Sequence, residues 1–234
     1  MNIRGLTKFS LVDFPGKICA IIFVGGCNFR CPYCHNPYLV IYHDSQPQIS
    51  EEEVLDFLKT RIGKLDGVVI SGGEPALYPN VVKFAKKIKE LGFEIKFDTN
   101  GSNPELAIEM WENGLIDMFG IDYKTSESRY NEIALTNVPE IALKVKKLLK
   151  FVSQKNIPCD IRTTVHKKFH SKEILIQMRN ELNEIGIKDW YIQQFHPVEI
   201  IDETLLEEDR YSDKELRSIV NELGPNTHLR GTSI

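Results

Sequence analysis

The sequence lacks long hydrophobic runs and an excess of positive charge. No window approaches the roughly 18 consecutive apolar residues of a membrane-spanning helix, and the opening MNIRGLTKFSLVDFPGK has no continuous apolar stretch of the kind found in secretion signals. The formal net charge is −4, so no basic surplus indicates nucleic-acid binding. We therefore expect a cytoplasmic protein that binds neither a membrane nor nucleic acid.

Internal repeats, low-complexity tracts and proline- or glycine-rich linkers are also missing, so nothing marks a domain boundary. The 234 residues are 42% hydrophobic and 26% charged, which is typical of a globular protein with a buried core. The sequence therefore predicts a single domain over residues 1–234.

Cysteine is scarce and unevenly placed. Three of the five cysteines, Cys27, Cys31 and Cys34, fall within eight residues. An odd, clustered set does not fit a disulfide framework in a chain long enough to fold by its core, whereas thiolates suit iron–sulfur clusters and zinc. The isolated Cys19 and Cys159 are expected to be small apolar side chains rather than ligands.

Strands and helices alternate along the chain in six βα units. The strands are predicted at Ile18–Val24, Val68–Ser71, Glu94–Asp98, Met118–Asp122, Asp160–Val165 and Trp190–Phe195. The helices are predicted at roughly 50–63, 80–90, 104–112, 139–155, 171–185 and 212–222. Ser50 and Glu53 predict a capping box, and Pro139 is expected in the first turn of its helix.

Every predicted strand carries a chemically distinctive group at or near its carboxyl end. In chain order these groups are the cysteine cluster, Gly72-Gly73-Glu74-Pro75, Asp98-Thr99-Asn100-Gly101, Asp122 with Lys124, Arg162 with Thr163 and Thr164, and Gln194-Phe195-His196. Because the carboxyl ends of the strands of a barrel converge on one mouth, six such strand ends favour a barrel over an open doubly wound sheet. The predicted fold is α/β, a partial (β/α)6 barrel open on one side, with the active site at the C-terminal mouth of the strands.

The cysteine segment Gly26-Cys27-Asn28-Phe29-Arg30-Cys31-Pro32-Tyr33-Cys34-His35 has the spacing C-x3-C-x2-C. Three closely spaced thiolates can hold three irons of a cubane and leave the fourth iron open for a substrate. The alternative is a zinc site with His35 or a distant residue as fourth ligand. Zinc sites usually have a second ligand pair downstream, but Cys159, the only later cysteine, stands alone. The spacing therefore favours a [4Fe–4S] cluster.

With Tyr33 in the aromatic position, the cysteine segment resembles the C-x3-C-x-aromatic-C motif of radical S-adenosylmethionine (SAM) enzymes, and Ser71–Pro75 resembles their GGE(P) segment. The resemblance implies a radical SAM oxidoreductase in which the reduced [4Fe–4S] cluster, held by Cys27, Cys31 and Cys34, cleaves S-adenosyl-L-methionine to a 5′-deoxyadenosyl radical.

A narrower resemblance is to the glycyl-radical-enzyme activating enzymes, and within them to the branch that activates anaerobic ribonucleoside-triphosphate reductase. Ser10–Lys17, Cys34–Pro37 and Asp98–Gly101 carry it, although Phe14 stands where many relatives have glycine. The implied partners are the reductase, which loses a hydrogen atom from one glycine, and a flavodoxin or ferredoxin that reduces the cluster. The alternatives are an activating enzyme of the pyruvate formate-lyase type, a radical SAM enzyme acting on a small molecule or nucleoside, such as a 7-carboxy-7-deazaguanine synthase, or a non-catalytic metal-binding module.

The resemblance also implies SAM contacts by position. They fall on Tyr33, Gly72, Gly73, Glu74, Asp98, Thr99, Asn100, Asp122, Lys124, Arg162 and His196. Lys124 or Arg162 would pair with the methionine carboxylate, with a salt bridge to Asp122 as the alternative. The Asp98–Thr99 pair would bind a monovalent cation beside SAM, with an Asx turn as the alternative, and His196 would stack near adenine.

Overall fold

The structure is a computed structural model that describes residues 1–196, 198–206, 208 and 210–231. The chain divides into two compact units. Unit 1 comprises Met1–Asn28 and Asn36–Gly120, and unit 2 comprises Phe29–His35 and Ile121–Ile234. The single domain expected from the sequence stays a prediction.

Unit 1 contains a sheet whose strands follow the chain order β1 to β5. β1 pairs with β2 in the antiparallel direction, whereas β2 with β3 and β3 with β4 pair in parallel. The strands are β1 (Ile3–Ser10), β2 (Cys19–Val24), β3 (Gly67–Gly72), β4 (Glu94–Thr99) and the first three residues of β5 (Met118–Asp122). The helices are α1 (Pro37–Val40), α2 (Glu51–Lys59), α3 (Val81–Glu90) and α4 (Pro104–Glu112).

Sequence periodicity explains the layers of unit 1. β2 and β3 read CAIIFV and GVVISG, and their nearly continuous burial is that of parallel strands covered on both faces. α3 instead buries one stripe, Val81, Phe84, Ala85 and Ile88. The capping box predicted at Ser50 and Glu53 is confirmed, although α2 ends at Lys59, earlier than the predicted residue 63.

In unit 2 the strands also follow the chain order, from the last two residues of β5 through β6, β7 and β8. β6 with β7 and β7 with β8 pair in parallel. Its strands are β6 (Cys159–Val165), β7 (Trp190–Gln194) and β8 (Thr227–Arg230). Its helices are α5 (Tyr130–Ala134), α6 (Ile141–Gln154), α7 (Lys172–Ile185) and α8 (Asp213–Leu223). The expectation that Pro139 lies in the first turn of its helix is wrong, because Glu140 adopts a left-handed conformation with φ 52° and α6 begins only at Ile141.

Among the strands and α-helices given above, all within the described residues, two strands and two helices escape the sequence analysis. β1 does not alternate between buried and exposed residues, because only its two ends, Ile3 and Ser10, are buried and the residues between them are partly or fully exposed. β8, α1 and α5 have four or five residues each, too few for a period to be recognised. Within the described residues, no helix has the length and apolar character needed to cross a membrane.

Candidate active site

A turn made of Gly25 and Gly26 leads from β2 to Cys27, and unit 1 holds this turn from several sides. The Gly25 carbonyl accepts hydrogen bonds from the Tyr78 hydroxyl and, at 3.2 Å, from Asn2 Nδ2. The Gly26 N–H donates to the Leu39 carbonyl at 2.6 Å. The backbone that positions Cys27 is therefore fixed by hydrogen bonds.

Gly72 and Gly73 at the end of β3 lie directly against β2 and the same turn. A Cβ on Gly73 would overlap the Gly26 carbonyl oxygen, and one on Gly72, where φ is 116°, would overlap the Val24 backbone. The Glu74 N–H donates to the Gly26 carbonyl at 2.9 Å. Close approach of two backbones thus explains both glycines.

The Glu74 carboxylate is fully buried and joins the ends of β3 and β4. It accepts from the Ala76 N–H at 2.9 Å, from the Thr99 hydroxyl at 2.7 Å and from the Asn100 N–H at 2.6 Å. Both carboxylate oxygens therefore bind the protein itself, and Glu74 shapes the two loops.

Asp98 lies near the end of β4 in a buried ion pair. Its carboxylate binds Lys96 Nζ at 2.6 Å and the Ser71 hydroxyl at 3.0 Å. The Asx turn considered for Asp98 forms two residues later, where Asn100 Oδ1 accepts from the Ser102 N–H at 2.9 Å. A monovalent cation beside Asp98 and Thr99 stays a prediction.

In unit 2, Asp122 at the end of β5 binds two cationic side chains. Lys124 Nζ lies 3.0 Å and Arg162 Nε lies 2.8 Å from its carboxylate. Burial favours the neutral acid, but the two positive charges outweigh it and hold the pKa of Asp122 well below its usual range. The structure thus contains the Asp122 salt bridge that was the alternative to a methionine contact.

The backbone of Lys124 is held by three rings, two of which the sequence analysis missed. The Lys124 carbonyl accepts from His170 Nε2 at 2.7 Å and from the Tyr33 hydroxyl at 3.4 Å, and the Lys124 N–H donates to the Tyr130 hydroxyl at 3.3 Å. Burial lowers the pKa of His170 to about 4, which keeps the ring neutral. The only available signal for His170 was its place in the loop after β6.

Cys31 and Cys34 belong to unit 2, in a turn where the Cys34 N–H donates to the Cys31 carbonyl at 3.0 Å. Burial raises the pKa of the Cys31 thiol to about 11, so this thiol is protonated at neutral pH.

His35 and His196 each form a hydrogen bond to a backbone carbonyl. His35 Nε2 lies 2.8 Å from the His196 carbonyl, and its ring stacks on Phe195. His196 Nε2 lies 3.0 Å from the Gly231 carbonyl. Stacking of His196 near adenine stays a prediction.

Across the described ranges, no group of three or more His, Cys, Asp or Glu side chains is arranged to hold a single metal ion. A cubane makes a different demand, because each cysteine binds its own iron and the three sulfur atoms need not converge on one point. The thiol set, with its spacing and its soft sulfur atoms, fits such a cluster.

The model of the family described as the Radical SAM superfamily matches residues 21–175, well over half of the chain. The chain belongs to the radical SAM superfamily. A protein of Methanocaldococcus jannaschii, provisionally named as a glycyl-radical enzyme activating enzyme, is 34% identical over 223 residues, which are 93% of this chain and 89% of the relative. This radical SAM protein is therefore a member of the glycyl-radical-enzyme activating enzymes.

Two further likenesses bear on this radical SAM protein. The pyruvate formate-lyase-activating enzyme of Clostridium pasteurianum is 33% identical over 130 residues, covering 52% of this chain and 53% of the relative. The crystal structure of SuiB from Streptococcus suis bound to S-adenosylmethionine has a TM-score of 0.64 at 18% identity and covers 89% of this chain. The chain spans about half the length of that structure, 48%.

These comparisons confirm the predicted family and the predicted enzyme class. They also confirm the predicted fold class, an α/β fold of the partial-barrel type. The cofactors are those of the family, a [4Fe–4S] cluster and SAM.

Proposed function

We propose that the protein is the activating enzyme of anaerobic ribonucleoside-triphosphate reductase and that Cys27, Cys31 and Cys34 hold its cluster. The activating-enzyme family supplies the reaction class, through a relative that matches 93% of the chain. The three thiols are the ligands because they lie within eight residues, whereas Cys19 is the fully buried first residue of β2 and Cys159 begins β6.

The observation that carries the choice of the reductase is the packing of Phe14. This residue stands where many relatives have glycine. Its side chain is only 2% exposed and packs with Cys19, Ile21 and Val69. Gly67 provides the space for the ring, because a Cβ there would lie 2.9 Å from it. The segment Ser10–Lys17 is thus built around an aromatic anchor that a glycine cannot supply, which supports the reductase branch.

The chemistry divides between cofactor and protein. Cys27, Cys31 and Cys34 would hold the cluster, which in its reduced form would supply the electron needed to split SAM into methionine and a 5′-deoxyadenosyl radical. This radical would take a hydrogen atom from the partner's glycine. Lys124 and Arg162 offer positive charge to the methionine carboxylate, and Asp122 keeps both cations in place before SAM arrives. A flavodoxin or ferredoxin is the electron donor in this proposal.

The backbone of Gly72 and Gly73 and the side chains of Asp98, Thr99, Tyr33 and His196 complete the proposed SAM contacts. Glu74 acts indirectly, since its hydrogen bonds fix Thr99 at the end of β4 and Asn100 in the loop that follows.

A second candidate is activation of a pyruvate formate-lyase type of enzyme. The match to the Clostridium pasteurianum activating enzyme favours it, but that match covers only 52% of the chain.

The test uses anaerobically reconstituted, reduced protein with SAM and, in separate reactions, an anaerobic ribonucleotide reductase or a pyruvate formate-lyase. We expect 5′-deoxyadenosine together with the EPR doublet of a glycyl radical on the reductase. A doublet on the lyase alone would replace the first candidate by the second. Formation of 5′-deoxyadenosine with no doublet on either enzyme would overturn both and point to a small-molecule substrate.

A further inference from the structure

The side chain of Asn100 contacts the sulfur of a proposed cluster ligand. Asn100 Nδ2 lies 3.7 Å from Cys27 Sγ, within unit 1. This separation suits an N–H···S hydrogen bond, because sulfur is larger than oxygen. Asn100 is buried, so water competes little for the amide.

The neighbours of Asn100 fix which end of the amide faces the cysteine. Asn100 Oδ1 accepts from the Ser102 N–H at 2.9 Å, and a backbone N–H can only donate. The oxygen must therefore point to Ser102 and the NH2 group to the other side. Asn100 Nδ2 also donates to Asn28 Oδ1 at 2.9 Å, and Asn28 Nδ2 donates to the Ser102 hydroxyl at 2.9 Å. One amide hydrogen thus goes to Asn28, and the second is available to Cys27.

The backbone of Asn100 is anchored as firmly as its side chain. Its N–H donates at 2.6 Å to the buried carboxylate of Glu74. The amide is therefore oriented toward the sulfur before any cofactor binds, and no reorganisation is needed to form the hydrogen bond.

We propose that Asn100 is a positioning residue for the cluster, whose amide donates a hydrogen bond to the Cys27 thiolate and raises the reduction potential of the cluster. A donor at a thiolate withdraws electron density from sulfur, and this stabilises the reduced cluster, which carries the extra negative charge. The role differs from the SAM contact that the resemblance implied for Asn100. It rests on the proposal that Cys27 is a ligand, and it does not depend on which enzyme is the partner.

The experiment compares Asn100→Ala with Asn103→Ala after anaerobic reconstitution, without SAM and without a partner. Asn103 is a matched control, because it is an asparagine of the same loop that caps α4, accepting from the Leu106 N–H at 3.4 Å and donating to the Ala76 carbonyl at 3.0 Å. An EPR-monitored redox titration gives the midpoint potential, and iron analysis gives the cluster content.

We expect Asn100→Ala to hold iron and to have a more negative potential than wild type, while Asn103→Ala keeps the wild-type potential. Asn100→Asp retains the acceptor for the Ser102 N–H and places a carboxylate oxygen near the sulfur, so its potential is expected to be lower still. An unchanged potential in Asn100→Ala, or equal shifts in the Asn100 and Asn103 variants, would overturn the proposal.

Loss of iron distinguishes the remaining outcomes. If Asn100→Ala loses the cluster, the potential is read from Asn100→Asp, and loss of iron from both would make Asn100 a structural residue and overturn the tuning role. A wild-type cluster in Cys27→Ala would instead overturn the ligand assignment on which the inference rests.

Discussion

Two regions of the protein are held together by different interactions. The first is the pair of loops that follow β3 and β4, and the second is the group of charged residues at the end of β5 and in β6. After β3 and β4, glycine contacts and neutral N–H and O–H donors around Glu74 fix the backbone. At the end of β5 and within β6, Asp122, Lys124 and Arg162 form a charged group whose side chains are 18–29% exposed. The first region is therefore suited to hold a fixed shape, and the second to offer charge to a ligand.

Gly73→Ala should have the largest effect on this comparison. The new Cβ would overlap the Gly26 carbonyl oxygen, so the turn before Cys27 must move. We expect the free energy of unfolding to fall by about 4 kcal/mol or more, measured by chemical denaturation, with loss of bound iron after reconstitution. Gly114→Ala is the control, since its φ is 67° and no atom lies within 4 Å of the added Cβ; it should cost about 1 kcal/mol. Equal losses would mean that the close backbone contact is not what requires glycine.

Glu74→Gln tests the neutral donor network of the first region. The substitution replaces one acceptor oxygen by an NH2 group that faces another donor, so a buried N–H or hydroxyl loses its partner. We expect a loss of about 2 to 3 kcal/mol in urea unfolding. The exposed Glu90→Gln on α3 should stay within about 0.5 kcal/mol of wild type. If Glu74→Gln is as stable as this control, the hydrogen bonds of Glu74 do not stabilise the connection between the ends of β3 and β4.

Asp122→Asn tests the charged group of the second region. It leaves Lys124 and Arg162 without their shared carboxylate, and we expect a loss of about 2 kcal/mol, less than a fully buried pair would show because water reaches the group. Glu132→Gln breaks the exposed pair with Arg129 and should cost about 0 to 1 kcal/mol. The measurement is the thermal unfolding of both variants. Equal losses of stability would mean that the Asp122 group contributes no more than an exposed ion pair.

At neutral pH the smallest effect belongs to His170, because its protonation changes stability only in acid. Burial lowers its pKa to about 4, below the ordinary value of about 6.5. As the pH falls from about 6.5 towards 4, His170 becomes protonated in the unfolded chain but stays neutral in the folded protein. The free energy of unfolding therefore falls by at most about 1.4 kcal/mol per pH unit. His170→Gln should show a shallower fall across this window in unfolding measurements. An identical pH profile would mean that His170 takes up its proton at the same pH in the folded and the unfolded protein.

The bounds of some elements and the positions of several residues could be predicted from the sequence. β5 and α4 have the predicted bounds, because periodicity and the N-terminal proline of α4 are local signals. The positions of Gly73, Asp122 and Lys124 at strand ends followed from the same local patterns.

The partners of those residues could not be predicted, since they come from distant parts of the chain. Glu74 receives donors from the loop after β4, and Lys124 is held by Tyr130 and His170. Asn100 was placed with the SAM contacts by its neighbours in the sequence, whereas its amide orientation depends on Ser102 and Asn28. Side-chain direction at a strand end is set by tertiary contacts that no periodicity encodes.

The most direct test of the central claim is the cluster content and SAM cleavage of single cysteine variants, measured anaerobically as iron per protein and 5′-deoxyadenosine formed after reduction. We expect Cys27→Ala, Cys31→Ala and Cys34→Ala each to lose the cluster signal and the product, while Cys159→Ala keeps both. Wild-type cluster content and cleavage in any of the first three variants would contradict the account.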